Sequence, residues 1–192
     1  MAQKQEPEIK CEGKTLKNVF LFKYLGSMFA ADGTHMQDVE RRVALAETRM
    51  GQLRQIFNSA VAFKLKMKIY KTAVCSLLTY GCEAWDLDKH TLAKINGANA
   101  RLLSRFTGKD AHSEASACTR TFDLVHAIKL RRFRWLGHLI RMGDTRLVKL
   151  ATCVQYERGS KGGLFMDLPA HLSYAEIQQL AGCRKTWKKL AE

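Results

Sequence analysis

Clustered carboxylates are one set of side chains that could make this chain catalytic. Several of them together can hold the two Mg²⁺ ions that nucleotidyl transfer requires. The eight aspartates are scattered, and the closest pair, Asp86 and Asp88, is separated by one residue. This pair lies in a polar connector, where an aspartate more often caps the following helix. The sequence contains no G-x-S-x-G, P-loop or H-E-x-x-H motif. We therefore predict that the chain is not an enzyme.

The six cysteines are spaced widely and irregularly, and no two of them form a C-x-x-C pair. They cannot be combined with His112, His126 or His138 at the spacing of a zinc site. Hydrophobic residues make up 46% of the 192 residues, which is enough to form a core without disulfides. We expect reduced thiols, no metal and no cofactor.

Basic side chains offer a different chemistry, which is electrostatic attraction to a polyanion. The chain carries 32 Lys and Arg against 18 Asp and Glu, a formal net charge of +14, and nucleic acid is the commonest partner of such a domain. Residues 120–150 contain eight basic and two acidic residues. Among them, Arg131, Arg134, His138 and Arg141 share one face of a predicted helix. Such a face either follows a phosphate backbone or is simply solvated.

A second basic stripe lies in the middle of the chain. Lys64, Lys68 and Lys71 recur at helical spacing, and no acidic residue occurs between Gln52 and Cys82. The same two interpretations, a phosphate contact or a solvated face, apply to this stripe.

The elements that position these side chains begin with short strands. Glu12-Gly13-Lys14 predicts a turn between strands near Ile9–Cys11 and Asn18–Tyr24, and residues 31–34 end the second strand.

A long amphipathic helix is predicted over residues 36–57. Arg42 and Arg49 lie two turns apart on its polar side, and Asp32 or Thr34 is expected to cap it. Its apolar stripe consists of Val39, Val43, Ala46, Met50, Leu53 and Phe57.

Further helices are predicted over residues 63–80, 89–106, 121–142 and 174–190. The core face of the first of these is expected to comprise Ile69, Ala73, Leu77 and Tyr80, widened by Tyr70, Val74 and Leu78. Its cap is expected at Gly81, and that of the last helix at Ser173. Trp85 and Trp135 are both expected in the core.

The predicted fold class is mainly α: a short N-terminal β-hairpin is followed by a small helical bundle and a C-terminal helix. The predicted units are a hairpin over residues 1–34, a bundle over 35–108, a linker with the basic helix over 109–150, and a loop with the last helix over 151–192.

Four motifs occur in order along the chain: FKYLGSMFAADG at 22–33, ERR at 40–42, YGCEAW at 80–85 and RRFRWLGHLIRM at 131–142. In this order they resemble the C-terminal part of a non-LTR (LINE-type) retrotransposon endonuclease/reverse transcriptase, from its primer grip through its thumb and downstream. The catalytic aspartates of that family precede the primer grip and have no match here. The resemblance therefore implies a polymerase-thumb-like bundle without the catalytic palm.

The resemblance also implies that Lys23 or Tyr24 points at a primer strand and that the helical basic stripes follow an RNA–DNA hybrid by shape. We predict non-specific binding to a hybrid or duplex. The predicted contact residues are Lys23, Tyr24, Arg42, Arg49, Lys64, Lys68, Lys71, Arg131, Arg134, His138 and Arg141.

Two alternatives remain at this level. A retroelement fragment could act as a protein-interaction module or self-associate through apolar surface that once packed upstream, or it could be a decayed remnant without a function. The polar N-terminus and the absence of a long apolar run predict neither a signal peptide nor a membrane span, and hence a nuclear or cytoplasmic location.

Overall fold

The computed structural model describes residues 8–107, 122–157, 163–168 and 171–191. Over these ranges the fold is mainly helical, with strands near the N-terminus and a helix at the C-terminal end, which confirms the predicted fold class. The linker predicted at 109–119 lies outside the described residues.

Two antiparallel hairpins begin the described chain. Strand β1 (Lys10–Cys11) pairs with β2 (Lys14–Thr15), and β3 (Leu21–Tyr24) pairs with β4 (Ser27–Ala30). The first turn is where the sequence predicts it. The second predicted strand was expected to pair with the first, but it forms β3 and pairs with the later β4 instead.

Both hairpins close through two-residue turns in which both residues have positive φ. The values are 49° and 75° at Glu12-Gly13, and 46° and 86° at Leu25-Gly26. This backbone geometry matches the right-handed twist of the flanking strands. The residues on either side of each turn, Cys11 and Lys14 in the first and Tyr24 and Ser27 in the second, can therefore pair directly.

The first long helix is interrupted near its end. Helix α1 (Met36–Gln52) and α2 (Arg54–Asn58) replace the single predicted helix, and Leu53 lies between them. The predicted stripe does face the core, with these residues buried: Val39, Val43, Ala46, Met50 and Phe57.

The predicted caps of this helix are wrong, because His35 precedes its first turn. The Asp32 carboxylate instead accepts hydrogen bonds from the backbone N–H and the hydroxyl of Thr34. These two residues therefore shape the loop before the helix.

The second long helix contains a wider turn. Helix α3 (Phe63–Ile69) continues through a π-helical segment (Tyr70–Cys75) into α4 (Ser76–Leu78). A π-helical turn holds more residues than an α-helical turn, so it changes which side chains face the core. The buried residues of this helix are Met67, Tyr70, Val74, Cys75 and Leu78. The predicted main face was wrong: Ile69, Ala73 and Leu77 lie at its margin and Tyr80 is exposed.

Two further helices agree with their predicted positions to within a few residues. These are α5 (Lys89–Thr107) and α6 (Leu124–Ile140). Asp88 accepts a hydrogen bond from the backbone N–H of Thr91 at 2.6 Å, so it caps α5 as predicted. Asp123 caps α6 in the same way.

The C-terminal part contains one helix that the sequence analysis missed, α7 (Leu147–Glu157). A 3₁₀ segment (Gly163–Asp167) follows, and the predicted last helix is divided into α8 (Tyr174–Gly182) and α9 (Arg184–Ala191). The predicted cap at Ser173 is confirmed, and it forms a capping box with Glu176.

Apolar side chains form two clusters, and α6 belongs to both. Its first half, with Leu124 and Ile128, packs on the core made by α1 through α5. Its second half, with Phe133 and Leu136, packs against α8 and α9 around Trp187. Helix α6 therefore couples the N-terminal bundle to the C-terminal helices.

Candidate nucleic-acid interface

Three of the sequence motifs meet at one buried carboxylate, that of Asp38. Its two oxygens accept hydrogen bonds from the backbone N–H of Met28 at 2.9 Å and from the indole N–H of Trp85 at 3.0 Å. The Arg42 guanidinium lies 3.5 Å away. The hairpin, α1 and the YGCEAW connector are thus fixed to one another by a residue that the sequence analysis did not select. We call Asp38 and its partners Met28, Arg42 and Trp85 the Asp38 cluster.

The tip of the β3–β4 hairpin is held from the same side. The carbonyl of Gly26 accepts hydrogen bonds from Arg41, at 2.8 Å, and from Arg42. The hydroxyl of Tyr80 donates to the carbonyl of Leu25 at 2.9 Å, and the Arg42 guanidinium lies 4.3 Å from the centre of the Tyr80 ring.

Gly81 lets the YGCEAW connector approach this tip closely. It has φ of +75°, and a Cβ at this position would lie 2.9 Å from the hydroxyl oxygen of Ser27. The FKYLG, ERR and YGCEAW motifs therefore encode contacts between the hairpin and the bundle.

Arg42 consequently does not belong to the interface predicted for it. The residue is only 5% exposed; its guanidinium donates to the Gly26 carbonyl and forms an ion pair with Asp38. Burial also lowers the pKa of its guanidinium. Arg42 has a structural role.

The RRFRWLGHLIRM motif on α6 is joined to the same connector. Arg131 forms an ion pair with Glu83 at 2.9 Å and donates to the hydroxyl of Thr79 at 2.7 Å. Arg132 is buried and donates to the backbone carbonyls of Trp85 and Gly163. The predicted phosphate contact Arg131 therefore already has protein partners, although its side chain is 40% exposed.

Gly137 in this motif leaves room for an indole ring. Trp187 of α9 stacks on Phe133 with ring centres 4.2 Å apart and donates from its indole N–H to the Phe133 carbonyl at 2.9 Å. A Cβ on Gly137 would lie 2.6 Å from Cδ1 of Trp187. The glycine thus brings α6 and α9 into direct contact.

A small cavity of about 250 Å³ opens beside this stack, between α6 and α9. Leu130, Phe133 and Trp187 form its apolar floor. Its rim carries four cations, Arg134, Arg141, Arg184 and Lys188, and its described lining contains no carboxylate. We call this feature the α6–α9 cleft.

The predicted basic face of α6 is divided by the structure. Arg134 is exposed at the cleft, whereas Arg141 is half-buried and donates to the Ala181 carbonyl at 2.8 Å. His138 lies on a different groove, where its ring is 5.3 Å from that of Trp135. Trp135 is 38% exposed, so its predicted place in the core is wrong, whereas buried Trp85 confirms the prediction.

The middle stripe stays on the surface. Lys64, Lys68 and Lys71 are all exposed, and Lys71 lies over the Phe122 ring at 4.7 Å. Arg49 is also exposed, near the end of α1. These positions are compatible with a phosphate contact.

The β3–β4 hairpin presents an aromatic surface to solvent. Phe22 and Tyr24 are more than half exposed and stack with ring centres 6.4 Å apart, and Phe29 opposes Phe22 across the hairpin. Phe20 is similarly exposed. Lys23 projects from the same strand and is exposed.

Among the described residues, no group of three or more His, Cys, Asp or Glu side chains is placed to hold a metal ion. In the same residues, no helix combines the length and apolarity needed to cross a membrane.

Comparison with known proteins finds a distant relative in Caenorhabditis elegans. The chain is 27% identical over 146 residues to an uncharacterized transposon-derived protein of that organism, which covers 71% of this chain and 52% of the relative. The chain thus spans about half the length of this curated relative. No protein-family model matches it, and no solved structure matches it.

Proposed function

We propose that this chain is a non-catalytic nucleic-acid-binding domain that holds the phosphate backbone of an RNA–DNA hybrid or duplex without reading its sequence. The observation that carries this proposal is the set of exposed cations on two helical surfaces. Lys64 and Lys68 lie on one surface, and Arg134 and Arg184 on the other. Within the described residues none of these four forms a hydrogen bond or an ion pair through its side chain.

The similarity to a transposon-derived protein supports an origin in a transposable element. The motif order adds a narrower proposal, that the chain corresponds to the primer grip, thumb and downstream region of a non-LTR reverse transcriptase. A hybrid is the natural ligand of such a region, which makes it the first probe to use.

The absence of polymerase activity is part of the proposal. Three of the described aspartates have structural roles: Asp38 is the centre of a buried cluster, and Asp88 and Asp123 cap helices. A primer-extension assay with Mg²⁺ tests this directly. Extension by the purified chain would contradict a non-catalytic role.

The binding itself is tested by fluorescence anisotropy with a labelled hybrid, a duplex and a single strand, each at low and at physiological salt. We expect binding that weakens steeply with salt and is reduced in K64Q/K68Q, because each lost phosphate contact removes about one unit from the slope of log K against log salt. Affinity that does not change with salt would contradict backbone binding.

The aromatic surface of the β3–β4 hairpin favours a second candidate function, a protein-interaction module. Exposed apolar patches commonly mark binding sites for other proteins, and Phe20, Phe22 and Phe29 are each more than half exposed. Sedimentation at low and high salt distinguishes the candidates. Self-association that persists at high salt, without nucleic-acid binding, would favour the module. A monomer that binds neither nucleic acid nor another copy of itself would favour the interpretation of the chain as a decayed remnant without a function.

A further inference from the structure

We propose that the α6–α9 cleft is a phosphate-binding site that seats one phosphodiester group of the nucleic-acid backbone. The inference rests on the proposed function and names the place where contact is made. Two of its cations, Arg184 and Lys188, were not among the residues predicted from the sequence.

The charges around the cleft have no compensating acid in its lining. Several cations elsewhere in the described chain do pair with carboxylates: Lys94 pairs with Glu40 at 2.8 Å and Lys149 pairs with Asp144 at 2.6 Å. In the cleft, Arg134, Arg141 and Arg184 converge, and the described lining contains no carboxylate. An anion is the group that would offset this accumulation of charge.

One of these cations is oriented in advance. Arg141 is half-buried and its Nη1 atom donates to the Ala181 carbonyl, which fixes the guanidinium plane. Burial lowers the pKa of Arg141, and repulsion from the nearby charge of Arg184 lowers it further. A phosphate between them would convert this repulsion into two charge-assisted hydrogen bonds.

The floor of the cleft is rigid and apolar. Trp187 is 3% exposed, stacked on Phe133 and hydrogen-bonded to its carbonyl. A cavity of about 250 Å³ is smaller than the usual pocket for a drug-sized ligand. It suits a single phosphate with part of its sugar, since the cations would bind the oxygens and the apolar floor would contact the sugar.

The test compares two double variants that lose the same charge. R134Q/R184Q removes two cations that lack hydrogen-bond and ion-pair partners in the described structure, and K94Q/R101Q removes two that pair with Glu40 and Glu47. Binding of a labelled RNA–DNA hybrid is measured over a range of salt concentrations. Because the cleft seats one phosphate and each phosphate contact contributes about 0.9 to the slope, we expect R134Q/R184Q to lower its magnitude by about 0.9 and K94Q/R101Q to leave it nearly unchanged.

The outcomes separate the two proposals. If the wild type binds and both variants lower the affinity equally, only net charge matters and the cleft site is wrong, while the proposed function stands. If the wild type binds neither hybrid nor duplex at low salt, the proposed function and the cleft site both fail. Thermal melts of both variants should stay close to the wild type, because Arg101, Arg134 and Arg184 are exposed and Lys94 is only partly buried.

Discussion

The Asp38 cluster and the α6–α9 cleft both bring arginines together, but they use them in opposite ways. In the Asp38 cluster, Arg42 is buried and faces a carboxylate, a carbonyl and an aromatic ring. In the cleft, Arg134 and Arg184 are exposed, and the described lining offers them no carboxylate. The same residue type holds the fold together in one region and is available to a ligand in the other.

This difference shows that a basic motif in a sequence does not identify a binding surface. RRFRWLGHLIRM places four arginines on α6 and its C-terminal cap, and three of them donate to protein acceptors. The acceptors are Glu83, the carbonyl of Trp85 and the carbonyl of Ala181, all far away in sequence. The presence or absence of such an acceptor decides which role each arginine has.

The largest expected effect is that of D38A on stability. It leaves the Arg42 guanidinium buried without its counter-charge and leaves the N–H groups of Met28 and Trp85 without their acceptor. Removing one member of a buried ion pair costs about 3–5 kcal/mol, and chemical denaturation should show a loss of this size. E40Q on the same helix is the control, because Glu40 is exposed and its partner Lys94 is only partly buried, and its midpoint should stay close to the wild-type value. A small effect of D38A would contradict the structural role of the cluster.

G137A should have the next largest effect, and it acts at the floor of the cleft. The new Cβ would lie 2.6 Å from Cδ1 and 2.8 Å from Cε2 of Trp187, so the indole must move. Overpacking of this kind costs about 1–3 kcal/mol. We also expect weaker hybrid binding, since the displaced ring alters the floor. Wild-type melting and binding in G137A would mean that the contact between α6 and α9 is looser than described.

G97A is the matched substitution within α5 of the N-terminal bundle, and we expect it to change stability in the opposite direction. Its Cβ would lie 3.6 Å from Nη1 of Arg101, which is an ordinary contact. Replacing a glycine within a helix by alanine stabilises by about 0.5–1 kcal/mol. A rise in the melting temperature would verify this, whereas destabilisation would indicate crowding around α5.

Cysteine alkylation at neutral pH perturbs the protein least. Its rate should distinguish exposed Cys183, between α8 and α9, from Cys75 and Cys82, which are buried in the N-terminal bundle. Hydrogen bonds from the Thr186 hydroxyl and from backbone N–H groups lower the pKa of the Cys183 thiol, so more of it is the reactive thiolate. Burial raises the pKa of Cys75 and of Cys82 to about 12. Peptide mapping by mass spectrometry should find Cys183 labelled, with Cys75 and Cys82 unlabelled until the chain unfolds. Equal labelling of all three would show that the first core opens.

Local patterns predicted the regular part of the fold well. Helices α5 and α6 were located because their apolar period is strong and because Asp88 lies at the start of α5. The second hairpin was missed because Leu25 is an unusual residue for a turn position with φ of 46°.

Helix α7 was missed because its pattern is reversed: Leu147 is 83% exposed, whereas Lys149 is buried against Met142 and Asp144. The usual rule that apolar residues mark the buried side therefore fails there. The ammonium group of Lys149 can be buried because it donates to the Met142 carbonyl and to the Asp144 carboxylate.

The candidate site could be predicted only in part. Arg134 and Arg141 were selected by helical spacing, and the structure does place both at the cleft. Arg184 and Lys188 join them from a helix more than forty residues later, and no local signal connects the two segments. The role of Asp38 was hidden for the same reason, because its partners come from the hairpin and from the YGCEAW connector.

The most direct test of this division of roles is a salt titration of hybrid binding with the wild type and R134Q/R184Q side by side. If Lys64 and Lys68 each contact one phosphate and the cleft seats one more, the wild-type slope should be about −2.7 and that of the variant about −1.8, at about 0.9 per phosphate. The melting temperatures should be the same. A variant slope equal to that of the wild type would contradict the claim that these arginines bind the backbone.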